Sequence, residues 1–250
     1  MRKTRLFVKQ EKLTNGEKIK ISQGDFDYIV KVLRKKTDDE LFIFNGIDGE
    51  FRAIISEIGK RNLTLTIAEK IADLQKSPNI TLAFAPVKNA RVDFIAAKAT
   101  ELGVSKFQPI ITTRTIVNKI NNDRFAANIK EACEQCERND FAEISEIKKL
   151  NKFLEEDSSN KLFILCDESG KGIQAKELFP KLITSGECSK DKEIVILIGP
   201  EGGFAPEEFE KMSNLKNLHS MSLGPRILRA DTAMMSALTL VQEFAGDFGQ

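Results

Sequence analysis

The sequence has one histidine, four cysteines and almost no net charge, and each scarcity removes a class of function. A lone His219 rules out a histidine-based metal cluster, which needs several imidazoles. It also has no nucleophile-elbow motif to serve as partner in Ser-His-Asp chemistry. Four cysteines in 250 residues do not form a disulfide framework. Cys133 and Cys136 have the C-x-x-C spacing, but no second cysteine pair or nearby histidine completes four ligands, and their surroundings read as helix. No metal is therefore expected. No stretch approaches the roughly 18 consecutive apolar residues of a membrane span. The opening MRKTRLFVKQEK is basic but lacks the apolar segment of a secretory signal. The expectation is a cytoplasmic protein with no membrane association.

The small net charge hides an asymmetry. Overall, 38 Lys and Arg stand against 37 Asp and Glu, a formal +1. Residues 1–79 carry 16 basic and 12 acidic side chains, a net of +4, and the first 36 alone reach +7. The remainder is net −3. A basic region ahead of a mildly acidic body suggests an anionic partner such as nucleic acid, although a solvated lysine-rich surface gives the same count. With 41% hydrophobic and 30% charged residues the chain can bury a core. Its length allows one large domain or two modest ones.

The first 70 residues read as short strands. Arg5–Val8, Leu41–Phe44, Phe51–Ile58 and the alternating Leu63–Ile67 are apolar runs, with the turn dipeptides Asn45-Gly46 and Asp48-Gly49 between them. Phe26, Ile29, Val30 and Leu33 fall at helical spacing, so a short helix interrupts the strands. A small β-barrel or sandwich over residues 1–72 fits this pattern, and the polar segment 73–79, containing Pro78, is the natural linker. Over 80–250 the rhythm becomes strand–helix alternation. Strands are expected at 80–85, 107–111, 162–165, 194–198 and up to 223, and helices at 92–102, 122–138, 173–184 and 233–244, with Gly103 as a C-terminal cap. This implies an α/β domain with a mostly parallel sheet.

Two segments carry the strongest chemical signal. In ILIGPEGGF, residues 196–204, a buried strand runs into Gly199-Pro200-Glu201-Gly202-Gly203. Glycine permits close approach of a ligand to backbone, and α/β sheets bind ligands beyond the carboxyl ends of their strands. Pro200 lacks an N–H, and Glu201 places negative charge where a phosphate would sit, so a polyphosphate is disfavoured. A ligand with little negative charge, such as an adenosine joined to an amino acid, fits better. In SLGPRILRADTA, residues 222–233, another strand ends in Gly224-Pro225, followed by Arg226 and Arg229. These arginines suit an anion or a polarised base edge, and Asp231 or Thr232 is placed to cap the last helix. The bland reading of both segments is a tight turn with solvated side chains. In KATELGV, residues 98–104, Lys98 and Glu101 read as a pair across one turn of a solvated helix face.

Taken together, IGPEGGF, LGPRILRADTA, KATELGV and EQCER (residues 134–138), with RKTRLFV near the start and YIVKVLR at 28–34, resemble the ribosomal RNA uridine N3-methyltransferase family within the SPOUT superfamily. The resemblance covers essentially the whole chain. It implies a PUA-like RNA-binding β-barrel followed by an α/β domain with a deep trefoil knot at about residues 195–235. It implies S-adenosyl-L-methionine as cofactor, a homodimer, and one uridine of 16S ribosomal RNA in the small ribosomal subunit, uridine 1498, as target. Carried onto this sequence, the cofactor residues are Leu165, Cys166, Gly199, Pro200, Glu201, Gly202, Leu223, Gly224, Ile227, Leu228 and Thr232. The catalytic arginines are Arg226 and Arg229, and the RNA-binding residues Arg2, Arg5, Arg34 and Lys35. Asp231 stands where the family usually has Glu. An arginine beside the base would stabilise the anion that forms when N3 loses its proton; Glu201 and Asp231 are the candidate general bases. The rival readings are a 2′-O-ribose methyltransferase of the same superfamily and a non-catalytic RNA-binding assembly factor.

Overall fold

The computed structural model describes residues 3–87, 89–167 and 172–249. The chain forms two compact units: Met1–Lys76 together with Cys133–Phe141, and Ser77–Ala132 together with Ala142–Gln250.

The first unit contains β1 (Arg5–Phe7), β2 (Lys18–Ser22), α1 (Gln23–Phe26) running into a π-helical turn (Asp27–Val32), β3 (Glu40–Phe44), β4 (Glu50–Ile58) and β5 (Asn62–Ala72). The strands form one curled sheet in the order β1-β3-β4-β5-β2, with β1 parallel to β3 and the other pairs antiparallel. The Asn-Gly and Asp-Gly dipeptides do form the β3–β4 turn. Asn45 Oδ1 accepts the backbone N–H groups of Ile47 and Asp48 at 3.0 and 2.8 Å, and Gly46 and Gly49 take φ values of +77° and +98°. Alternation in β5 sends Leu63, Leu65 and Ile67 into a core shared with Leu6, Leu41, Ile43, Ala53 and Ile55. The Lys-Ile alternation of β2 was too short to stand out between polar loops. The expected helix at 26–33 buries Phe26 and Ile29, but Leu33 N–H bonds to the Tyr28 carbonyl. That wider turn rotates Leu33 out of the stripe and leaves it exposed.

Arg5 was expected to contact RNA, and the structure contradicts this. It is buried, with Nε donating to Glu50 Oε1 at 2.6 Å, Nη1 to the Cys133 carbonyl at 2.7 Å and Nη2 to the Arg138 carbonyl at 3.2 Å, while its guanidinium lies 4.5 Å from the centre of the Phe44 ring. The same segment is held by Glu134 Oε1, which accepts the Phe7 N–H at 2.9 Å, by stacking of Phe141 on Phe7, and by Asn139, which bonds the backbone of Asp73 and Gln75. The EQCER block is thus built into the first unit; Cys133, just before it, is buried, while Cys136 within it is exposed. Burial pushes the Cys133 thiol up to about 12, leaving it inert.

The second unit runs β6 (Ile80–Phe84), α2 (Asn89–Glu101), β7 (Lys106–Ile111), α3 (Asn122–Cys136), β8 (Glu143–Ile144), β9 (Lys148–Lys149), α4 (Leu150–Leu154), β10 (Lys161–Asp167), β11 (Ile173–Gln174), α5 (Ala175–Thr184), β12 (Glu193–Ile198), α6 (Pro206–Ser213), β13 (Leu218–Ser222) and α7 (Ala230–Ala245). Its eight-stranded sheet has the order β11-β13-β10-β12-β6-β7-β8, with β9 also on β7, and every ladder is parallel. β6 and β12 are apolar along nearly their whole length because both faces of the sheet are covered. Phe125 of α3 packs against Phe84 and Phe107 on one side, and the stacked Phe179 and Phe244 join α5 to α7. Gly103 caps α2 at φ +76°, and a side chain there would collide with Gln242, whose amide donates to the Leu102 carbonyl at 2.7 Å.

Arg5→Met should remove one half of a buried ion pair and strand Glu50, lowering stability by about 3–5 kcal/mol. Urea unfolding measures this, and the salt dependence of RNA binding by the folded fraction should be unchanged.

Candidate functional site

The strand order puts the carboxyl ends of β12, β10 and β13 side by side at one edge of the sheet. β10 lies between the other two, so the loops that follow Ile198 and Ser222 leave the sheet on either side of Cys166. Together these residues enclose a cleft of about 320 Å³, which is within the size range of small-molecule sites.

One wall is the loop after β12. Gly199, Pro200, Glu201 and Gly203 line the cleft, backed by Ile198 and Phe204. Gly199 is forced by packing: a Cβ there would lie 2.9 Å from the buried Phe204 ring. Gly203 N–H bonds the Pro200 carbonyl at 2.9 Å, closing a tight turn, with Gly203 at φ +67°. The opposite wall is the loop after β13, where Leu223, Gly224, Arg226, Ile227, Leu228 and Arg229 all line the cleft. Gly224 takes φ +102°, which turns the chain back toward α7. Ile227 is 86% exposed and both arginines are exposed, so an apolar side chain and two cations stand at the mouth. Among the described residues, neither Arg226 nor Arg229 is paired with a carboxylate. Cys166 lines the floor, and burial pushes its thiol up to about 12, so it stays protonated.

Three expected cofactor residues fall outside the lining. Leu165 points to the other face of β10, into the core with Phe163 and Val195, because successive strand residues alternate. Gly202 sits at the exposed tip of its turn. Thr232 is turned away because α7 starts at Ala230, and helical spacing brings Ala230 and Ala233 to the cleft. This early start also removes the expected cap. Arg229 occupies the cap position, and Asp231 Oδ1 accepts the Thr232 N–H at 2.8 Å. Of the expected RNA residues, Arg34 is exposed and held at φ +56°, Lys35 is half-buried and donates to the Glu40 carbonyl at 3.3 Å, and Arg2 lies outside the described residues.

Other residues at the site had no local signature in the sequence. Arg91, from α2, lines the cleft and forms an ion pair with Glu201. Arg114, after β7, donates to the Gly202 carbonyl at 2.7 Å. Glu208 of α6 was legible in part: Pro206 at the first helical position with Glu208 two residues on is a helix-start pattern. Its buried carboxylate accepts the Ala205 N–H at 2.8 Å. Lys98 and Glu101 pair at 2.8 Å on the surface of α2, and His219 bonds Glu187 at 2.9 Å. Among the described residues, no cluster of three or more potential metal ligands occurs, and no helix is long and apolar enough to cross a membrane.

The walls suit a ligand that is partly flat and apolar. Bare backbone at Gly199 and Gly224 permits close approach, Ile198, Phe204, Leu223 and Leu228 offer apolar surface, and the cationic rim accepts an anionic or polarisable group.

Comparison with known proteins agrees with this geometry. Residues 75–242 match the RNA methyltransferase domain family, and residues 21–68 the RNA methyltransferase PUA domain family. Ribosomal RNA small subunit methyltransferase E of Rickettsia conorii is 32% identical to this chain over 243 residues, 97% of this chain and 96% of that protein. The protein of the same name from Buchnera aphidicola of Acyrthosiphon pisum is 32% identical over 91% of this chain and 88% of its own length. A Legionella pneumophila methyltransferase solved with S-adenosylmethionine superposes with a TM-score of 0.86 at 30% identity, covering 99% of this chain and all of that one. Ribosomal RNA small subunit methyltransferase E of Neisseria gonorrhoeae, also bound to S-adenosylmethionine, gives 0.86 at 25% identity with the same coverage.

The two loop glycines should separate experimentally. Gly199→Ala must displace the Phe204 ring and should cost about 1–3 kcal/mol. Gly202→Ala meets only Arg114 side-chain carbons at 3.6 Å and should stay within about 0.5 kcal/mol of the parent in urea unfolding.

Proposed function

Because this chain belongs to the ribosomal RNA small subunit methyltransferase E family, we propose that it methylates N3 of a single uridine, uridine 1498, in 16S ribosomal RNA. It is an S-adenosyl-L-methionine-dependent methyltransferase of ribosomal RNA. The observation that carries the finer reading is the cleft at the ends of β10, β12 and β13, where Arg226 and Arg229, paired with no carboxylate among the described residues, stand opposite a glycine loop with no phosphate-binding character. The family also supports a cytoplasmic homodimer acting on the small ribosomal subunit, with the segment 195–235 threaded as a trefoil knot.

Gly199, Pro200, Leu223, Gly224, Ile227 and Leu228, with Cys166 beneath, are the residues that would hold the cofactor. When bound, S-adenosyl-L-methionine supplies a methyl group on a sulfonium, an electrophile for in-line displacement. The loops align the uracil edge with that methyl, which is where much of the rate comes from. Uridine N3 carries a proton that must leave, and the resulting charge spreads onto the flanking carbonyl oxygens. A guanidinium from Arg226 or Arg229 stabilises that anion and so lowers the cost of losing the proton. Glu201 is engaged by Arg91, and Asp231 by the backbone of Thr232, so neither is assigned as the base. The proton passes to water at the open mouth. RNA binding is assigned to the basic surface of the first unit, with the exposed Arg34 among its cations.

Single-turnover methylation of small subunits tests the arginines. Alanine at the one facing the uracil should slow transfer by roughly 10²–10³-fold with cofactor affinity retained. Nucleoside mass spectrometry of the product should show N3-methyluridine; a ribose-methylated nucleoside would refute the assignment. Arg34→Ala should weaken RNA binding and reduce the slope of log affinity against log salt by about one.

A further inference from the structure

Loop 199–205 is held from outside the cleft by a closed ring of hydrogen bonds. Arg114 Nη1 donates to the Gly202 carbonyl at 2.7 Å. The next residue back, Thr113, donates its backbone N–H to Glu208 Oε1 at 2.8 Å, and its hydroxyl is 3.1 Å from the same oxygen. The other oxygen of Glu208 accepts the Ala205 N–H at 2.8 Å. The ring therefore runs from Gly202 through Ala205, Glu208, Thr113 and Arg114 back to Gly202. Glu208 is 4% exposed and its bond to Ala205 is buried, so the anchor of the ring is shielded from water, while Arg114 reaches the Gly202 carbonyl at the surface.

Two features make this more than surface decoration. The stem of Arg114 lies along Gly202, with its Cβ and Cδ each 3.6 Å from the place a Gly202 side chain would occupy. Its stem thus runs beside the tip of the turn whose carbonyl it holds. Arg114 also does not line the cleft, whereas the residues on either side of the carbonyl it holds, Glu201 and Gly203, do. A group that touches the loop but not the cavity can act on a bound ligand only through the loop.

We infer that Arg114 is a positioning residue for the methyl-transfer reaction, holding the Pro200–Gly203 turn in the shape that accepts the cofactor, with Thr113 and Glu208 as its anchor. This rests on the cofactor occupying the cleft, as proposed above. Within the turn the Gly203 N–H bonds the Pro200 carbonyl, and glycine at 202 and 203 leaves the backbone free to adopt other conformations. Without Arg114 it samples these, and the cofactor must select the competent one. The loss therefore falls on cofactor affinity. Once the cofactor is bound, the turn is the same in both proteins and the chemical step is unchanged.

Calorimetric titration with S-adenosylmethionine and steady-state methylation of small subunits test this on Arg114→Met, Arg114→Lys and Thr113→Val. Arg114→Met should raise the cofactor Kd and KM by about tenfold while kcat at saturating cofactor stays within about twofold. Arg114→Lys, which keeps a donor for the Gly202 carbonyl, should recover most of the affinity. Thr113→Val, which keeps the backbone bond to Glu208, should have the smaller effect. An Arg114→Met enzyme with unchanged cofactor Kd overturns the inference, whether its kcat falls, its KM for the subunit rises, or nothing changes. Failure of Arg114→Lys to recover any affinity overturns it too. If the parent protein itself does not bind S-adenosylmethionine, the functional reading fails instead.

Discussion

The parallel pairing of β10 with β12 on one side and β13 on the other is the constraint from which the site follows. Leu165 is in register with Leu197, and Cys166 with Met221, so the three strands end level with one another. The loops that leave them have no choice but to face each other across the width of one strand. Two Gly-Pro turns that are about 25 residues apart in sequence become opposite walls of one cleft. Had β13 paired at the far edge of the sheet, beside β8, the arginines and the glycine loop would lie at different ends of it. The apolar character of β12 is what secures the arrangement, since a strand buried on both faces cannot move to an edge without exposing Val195 and Leu197 to water.

Charge is distributed within the cleft by the same logic. Glu201 would oppose an electron-rich base, but Arg91 reaches it from α2 and neutralises it. Arg226 and Arg229 are left without partners among the described residues and dominate the mouth. On the function proposed above, a cationic mouth suits methylation of an imide nitrogen, because the group to be stabilised is an anion spread over two carbonyl oxygens. These cations stand on a segment, residues 80–250, whose net charge is −3, so local placement matters more there than the sum.

Much of this was legible in the sequence because it depends on short-range rules. The continuous apolar strand β12, ending in glycine and proline, announces a loop at a sheet edge, whereas β13, LHSMS, is marked only by the Gly224-Pro225 turn that follows it. Alternation in Leu63–Ile67 and the dipeptides Asn45-Gly46 and Asp48-Gly49 placed the hairpin. Where the reading failed, the cause was a tertiary partner or a phase shift of one residue. Arg5 looked like a surface cation, and only Glu50, 45 residues away, shows it to be a buried structural one. Thr232 was misplaced because α7 begins at Ala230, and a single residue in helical phase exchanges Thr232 for Ala233 at the cleft. Arg91, Arg114 and Glu208 come from three separate elements, and no local pattern could have assembled them.

The floor of the cleft shows how such a site avoids its own chemistry. A sulfonium methyl donor will alkylate any good nucleophile held in line with it, and Cys166 lines the cavity. The thiolate is the reactive form of cysteine, and its population at neutral pH depends on the thiol pKa. Burial pushes that pKa up to about 12, which favours the unreactive thiol over the thiolate. The carboxylates near the mouth are restrained in a different way, Glu201 by an ion pair and Asp231 by a backbone N–H. Among the described residues at the cleft, Cys166 is thereby kept as the thiol, Glu201 and Asp231 are engaged, and the charged side chains left without a carboxylate partner are the cations Arg226 and Arg229, which cannot accept a methyl group.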